Sequence, residues 1–280
     1  MQSVALGDYL IFEAAPDLRL KVEGVEIPAG EENLVVRAAR RLAAVTGHRG
    51  GATITLRKRI PVAAGLGGGS ADAAGTLVAL NELWKLGCDA AFLSACGAEI
   101  GADVPFCLVG GTALGTGRGE KITRLPKLPE LGVLLLKPPY GIFARQAYRD
   151  YDSLTAEWKP VAAAVVGALR RGAWREALAY CANALEAVVF RKHPELARLK
   201  EELKRAGALT ALMSGSGPTV YGLFPSVIAA SQAARIFAGR DLQVIVTATA
   251  GESLIRDASD DCPRRTPAPD ENFLKGVMHR

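Results

Sequence analysis

Apolar and polar residues alternate through two early segments. Residues 8–13 and 18–23 keep the two-residue rhythm of half-buried strands, and Ala14-Ala15-Pro16-Asp17 between them has the composition of a turn. A strand, turn, strand unit is predicted, with the chain starting inside a sheet. From residue 32 to 45 the rhythm lengthens: Leu34, Val35, Ala38, Ala39, Leu42 and Val45 fall at helical spacing between Asn33 and Gly47, which suit the two ends of a helix. Residues 52–60 alternate again as a strand. Pro61 stops it before a glycine-rich loop that opens an apolar helix over 70–86. A further helix, 90–100, leads to Gly101-Ala102-Asp103-Val104-Pro105.

Strands are predicted over 106–116, 121–125 and 132–137, separated by Gly110-Gly111, by Gly117-Arg118-Gly119 and by a proline-flanked turn. After Pro138-Pro139 the spacing becomes helical over 145–151, 161–170, 174–189 and 194–206. The pattern then reads strand 211–213, glycine-rich turn 214–218, strand 220–224, helix 227–237 and strand 242–249. Strands and helices segregate instead of alternating, so the expected class is α+β and not a doubly wound sheet. The composition shift near Tyr140 divides the chain into domains at 1–139 and 140–250, and 251–280, rich in Asp, Arg and Pro, reads as a loose tail.

Composition narrows the function. With 280 residues, 49% hydrophobic and 22% charged, the chain is a globular protein and neither disordered nor fibrous. A net charge of +5 favours small anions; the basic residues are scattered, and the short runs Arg57-Lys58-Arg59 and Arg264-Arg265 have no interleaved aromatic rings, so no nucleic acid is expected. Cys88, Cys96, Cys107, Cys181 and Cys262 are odd in number without a C-x-x-C pair, which disfavours a disulfide framework or a zinc ribbon. The start has no basic patch or long apolar core, and no apolar run reaches the roughly 18 residues of a membrane span. A cytoplasmic protein with no membrane partner is expected, as a monomer or homodimer. His48, His193 and His279 lack metal-ligand spacing, and the metal ligands are unknown at this level.

The chemistry concentrates in Pro61-Val62-Ala63-Ala64-Gly65-Leu66-Gly67-Gly68-Gly69-Ser70-Ala71, placed between a predicted strand and a predicted helix. Glycines let backbone N–H groups close on a phosphate without a Cβ in the way, and the free amides of the first helical turn add the positive end of the helix dipole. An isolated glycine run is equally a flexible link. No Walker Lys follows Gly69, and Ser70 stands where a dinucleotide fingerprint needs its third glycine, so neither of those motifs fits.

The stretch resembles the second motif of the GHMP kinases, and its glycine triplet is most similar to the branch that phosphorylates 4-diphosphocytidyl-2-C-methyl-D-erythritol. Residues 32–39 look like the first helix of that branch, Gly101-Ala102-Asp103-Val104-Pro105-Phe106 like its catalytic segment, Gly117-Arg118-Gly119-Glu120 like its substrate loop, and 212–219 like the third superfamily motif. The resemblance implies a fold with an N-terminal domain like domain 2 of ribosomal protein S5 and a ferredoxin-like C-terminal domain. It implies ATP and Mg²⁺, and a small cytidine diphosphate substrate. Asp103 is then the catalytic carboxylate, orienting a hydroxyl and taking its proton; without the other motifs it reads as a turn Asp. Gly215, Ser216 and Gly217 would form a turn against the phosphate loop. Gly117 and Arg118 would border the cytidine, and Tyr148 would stack on its base, where a core aromatic is the plain alternative. Asp72 favours the helix dipole.

The family pattern opens with an Ala-Lys-(apolar)-Asn-Leu strand and an Asp-Gly-Tyr-His segment that this sequence does not contain. Residues 2–8 read as the continuation of a strand already in progress, and Met1 as an internal methionine. The Lys of that strand would pair with Asp103. Two alternatives therefore stand beside the cytidylyl-substrate kinase: a nucleotide-binding protein without turnover, and another GHMP kinase such as homoserine kinase.

Overall fold

The computed structural model describes residues 1–153 and 161–251. From residue 252 on, the expected tail lies outside the described residues. Two short strands open the chain, β1 (Ser3–Val4) and β2 (Tyr9–Ala15), followed by β3 (Arg19–Glu23). Helix α1 (Leu34–Thr46) begins where the Asn33 side chain accepts the Val35 N–H and ends at Gly47 in the left-handed region, φ 70°. Strand β4 (Gly51–Arg57) precedes α2 (Gly68–Leu83), and α3 (Ala90–Ile100) is capped by Asp89, which accepts from the Phe92 N–H.

Next come α4 (Val104–Val109), the pair β5 (Ala113–Thr116) and β6 (Lys121–Arg124), and β7 (Gly132–Lys137). The later half holds α5 (Ala144–Asp152), α6 (Ala162–Arg170), α7 (Trp174–Tyr180), α8 (Glu186–Lys192) and α9 (Pro194–Arg205). It closes with β8 (Thr210–Met213), β9 (Val220–Phe224), α10 (Val227–Ala234) and β10 (Gln243–Ala250).

The strands form a three-stranded sheet ordered β2-β4-β3, a five-stranded sheet ordered β1-β10-β7-β9-β8 and the β5-β6 hairpin. Strand β4 lies antiparallel to β2 and parallel to β3, so the two opening strands flank it without pairing with each other. One core joins Leu10, Ile54 and Leu56 of that sheet to Leu42, Leu77, Leu93 and Leu108 from α1–α4. The larger sheet is buried on both faces. Leu134 and Leu136 of β7 pack with Val188, Leu196 and Phe224, while Val133 and Leu135 pack with Leu178 and, at the rim, Leu66 of the glycine loop. That contact carries the glycine loop onto the second sheet.

Three expectations change. The predicted strand 106–116 is instead a helical turn followed by β5. Pro105 sits in the first turn of α4, where its missing N–H costs nothing, and Gly110 and Gly111, both at positive φ, end the helix before β5 begins. The single helix predicted over 174–189 is two: Cys181 turns extended, and the Asn183 side chain accepts the Leu185 N–H to restart the next helix. The boundary expected at residue 140 also cuts one sheet, because β7 lies between β10 and β9.

Candidate active site

The glycine loop follows β4 and feeds α2. Ala63, Gly65 and Gly67 take positive φ of 50°, 72° and 68°, a winding that turns successive amides toward one concave side. Gly67, the N-cap of α2, has no side chain to spend on the first turn, so the amides that follow remain available to an anion. A cleft of about 360 Å³ opens over this surface, lined by residues 61–70 together with Lys58 and Asp72 and, from the approach to α1, Ile27, Pro28, Glu32, Asn33 and Leu34. Ala71 lies one step inside the helix, where its N–H donates to the Gly67 carbonyl.

The second glycine turn closes on the first. Ser214 Oγ donates to the Gly65 carbonyl at 2.8 Å. A Cβ added at Gly65 would lie 2.3 Å from the Ser214 carbonyl oxygen and 2.9 Å from the Gly217 nitrogen, so only glycine admits this approach. Gly215 and Gly217 are themselves at positive φ, and Ser216 is buried. The turn is held from behind by Asn183, whose Nδ2 donates to the carbonyls of Met213 and Gly215, both at 2.8 Å. Glu186 accepts the Met213 N–H at 2.8 Å and pairs with Lys200. Chain 138–142 meets the same place: a Cβ on Gly141 would lie 2.6 Å from the Ala63 Cβ.

Asp103 stands at the N-terminal end of α4 without a capping hydrogen bond, its carboxyl open to solvent. Its backbone neighbourhood is shared with the end of the glycine loop, because a Cβ on Gly101 would lie 3.9 Å from Ser70 Oγ. On the other side, a Cβ on Gly119 would lie 4.0 Å from Asp103 Oδ1, so the turn carrying Gly117 and Arg118 borders the carboxylate. Arg118 is exposed, and Glu120 folds back to accept its N–H at 2.7 Å. Partial burial raises the Asp103 carboxyl above its ordinary value, and among the described residues no cation offsets that shift. Tyr148 is on α5 and 57% exposed; no hydrogen bond or ring contact ties it to the loops or to Asp103.

Three supporting residues, Lys58, Asn183 and Glu186, are not singled out by any sequence motif. Asn33, Lys58 and Asp72 line the cleft, and Asn183 and Glu186 fix the second turn. Asn183 had a faint signal, a polar residue inside an apolar helical rhythm. Lys58 had none, since its partner Asp8 is 50 residues away.

Comparison with known proteins agrees with this geometry. The family model described as GHMP kinases N terminal domain matches residues 33–111, and that described as GHMP kinases C terminal matches 165–240. A 4-diphosphocytidyl-2-C-methyl-D-erythritol kinase from Pelotomaculum thermopropionicum is 49% identical over 251 residues, covering 89% of this chain and 88% of the relative. One of the same name from Moorella thermoacetica is 44% identical, covering 85% and 84%. A crystal structure of 4-(cytidine 5'-diphospho)-2C-methyl-D-erythritol kinase superposes with a TM-score of 0.70 at 29% identity, over 90% of this chain and 100% of that one. Homoserine kinase from Cytophaga hutchinsonii shares the fold, with a TM-score of 0.71 at 21% identity over 87% and 86%. Two glycine turns meeting across two sheets, with a carboxylate beside the first, thus occur in a chain that belongs to the GHMP kinases.

Proposed function

We propose that this chain transfers the γ-phosphoryl group of ATP to the 2-hydroxyl of 4-diphosphocytidyl-2-C-methyl-D-erythritol, the compound named in its relatives. The observation that carries the reading is the nearness of Ser70, in the first turn of α2, to the chain two residues before Asp103: its Oγ lies 3.9 Å from where a Cβ on Gly101 would stand. A triphosphate held by the amides of 65–70 would present its terminal phosphorus toward the carboxylate. The substrate oxygen forms its bond to that phosphorus as the bond to the β,γ-bridging oxygen breaks. The hydroxyl proton passes to Asp103 and then to solvent, and ADP leaves. A carboxyl with a raised pKa and no neighbouring cation is a stronger base than an ordinary aspartate, which suits this step.

Mg²⁺ enters with the nucleotide in this reading and neutralises charge on the phosphate oxygens. Among the described residues no group of three or more His, Cys, Asp or Glu side chains could hold a metal ion. Tyr148, exposed on α5, is assigned to lie against the cytosine, and the Gly117-Arg118 turn to border the ribose side. No helix among the described residues is long and apolar enough to cross a membrane.

An ADP-release assay with Mg·ATP decides the substrate. Release that depends on the cytidylyl compound, and is absent with homoserine, is the expected result. Turnover with homoserine alone, or ATP binding without product, would assign the site differently.

A further inference from the structure

One member of the basic run Arg57-Lys58-Arg59 is not at the surface. The Lys58 side chain is 4% exposed, held between Asp8 at 2.5 Å and Asp72 at 2.8 Å, which are 2% and 4% exposed. Asp8 is fully engaged: its other oxygen accepts the N–H groups of Arg59 and Ile60. Asp72 is not, because its Oδ1 is buried with no partner. The cluster sits directly behind the phosphate loop. A Cβ on Gly68 would lie 3.2 Å from Lys58 Nζ, and both Lys58 and Asp72 line the cleft.

Burying three charges is a poor way to stabilise a fold, since apolar residues of similar size usually do as well or better. The arrangement needs a reason in the site. We propose that Lys58 is a positioning residue for the phosphate-holding loop, clamping the end of β4, the segment before β2 and the second turn of α2 together while placing a fixed positive charge beneath Gly68. This rests on the reading of that loop as the nucleotide phosphate site.

The uneven charge count gives the clamp a signature. Burial pushes the Asp72 carboxyl up to about 7; Lys58 opposes that shift, and the neighbouring Asp8 carboxylate adds to it. Lys58 and Asp8 are the charged groups facing Asp72 among the described residues. A polyphosphate arriving on the far side of Gly68 adds negative charge, which disfavours ionised Asp72 further. Nucleotide binding therefore favours uptake of a proton at Asp72, and affinity for ATP falls as pH rises through 7.

The test is calorimetric titration of the full chain with ATP at pH 7 in two buffers of different ionisation enthalpy. The wild type takes up more protons per ATP than Asp72→Asn does. Lys58→Met weakens ATP binding about tenfold or more, with the KM of the second substrate changed less than about twofold, and adding Asp72→Asn to it recovers part of the loss by removing the stranded carboxylate. Equal proton uptake in wild type and Asp72→Asn overturns the proposal, as does a Lys58→Met protein that binds ATP like the wild type. Should Lys58→Met not fold, the Asp72→Asn comparison decides alone. A wild-type protein that binds no ATP removes the phosphate-site reading as well, whereas binding without differential uptake removes only the role given to the clamp.

Discussion

Two carboxylates near the phosphate loop are treated in opposite ways. Asp72 lies behind the loop, nearly closed off from water and paired with Lys58; Asp103 stands beside it, open to solvent and facing no cation among the described residues. Both carboxyls are raised by burial, but only the first has a positive partner that opposes the shift. Under the proposed function, the difference separates holding from reacting. A charge that shapes a loop is fixed by partners before any ligand arrives, whereas a base must keep its lone pairs free for the substrate's proton.

The largest effect is expected where the contrast is sharpest. Asp103→Asn keeps the shape and removes the proposed base, and kcat should fall about 10²–10⁴-fold while the KM for ATP changes little. A variant of unchanged kcat would erase the distinction. Gly65→Val attacks the holding side instead: its Cβ would stand 2.3 Å from the Ser214 carbonyl oxygen, on a backbone at φ 72°. A loss of about 3 kcal/mol or more is expected, read as a lower thermal midpoint together with weakened ATP binding.

Asn183→Leu is gentler. It strands the carbonyls of Met213 and Gly215, at a cost of about 1–3 kcal/mol, and should raise the KM for ATP without touching the pKa that governs kcat. The smallest and most diagnostic effect is in the pH profile. Because Asp103 is raised and must be ionised to accept a proton, kcat should fall as pH drops through a midpoint above the ordinary carboxylate value. That acid limb should vanish from the residual rate of Asp103→Asn. An Asp103 limb at the ordinary value would mean that the carboxylate is as well solvated as any surface group.

Local signals were legible and distant ones were not. Helix α1 was readable because Asn33 and Gly47 mark its ends and its apolar stripe is regular. The glycine loop was readable as a loop opening a helix, because three consecutive glycines stand before an apolar run, while its use stayed open between an anion site and a flexible link. Residues 106–109 misled because a continuous apolar run has no period, and Pro105, permitted in a first helical turn, looked like a break. The break at Cys181 was hidden by alanines and leucines that continue the helical rhythm on both sides. Asn183, Lys58 and Asp8 became intelligible only with their partners, since burial of a polar residue is decided by whatever the fold brings opposite it.

The order of assembly has its own consequence. Strands β2 and β3 are neighbours in sequence but have no mutual hydrogen bonds; each waits for β4, which must slide between them. Their connection passes so close over the start of β4 that a Cβ on Gly51 would lie 2.2 Å from the Asp17 backbone. No early hairpin can therefore nucleate this sheet, and its formation is governed by the time taken to close a long loop. Lengthening the stretch between Glu23 and Gly51 should slow refolding while leaving the equilibrium midpoint nearly unmoved.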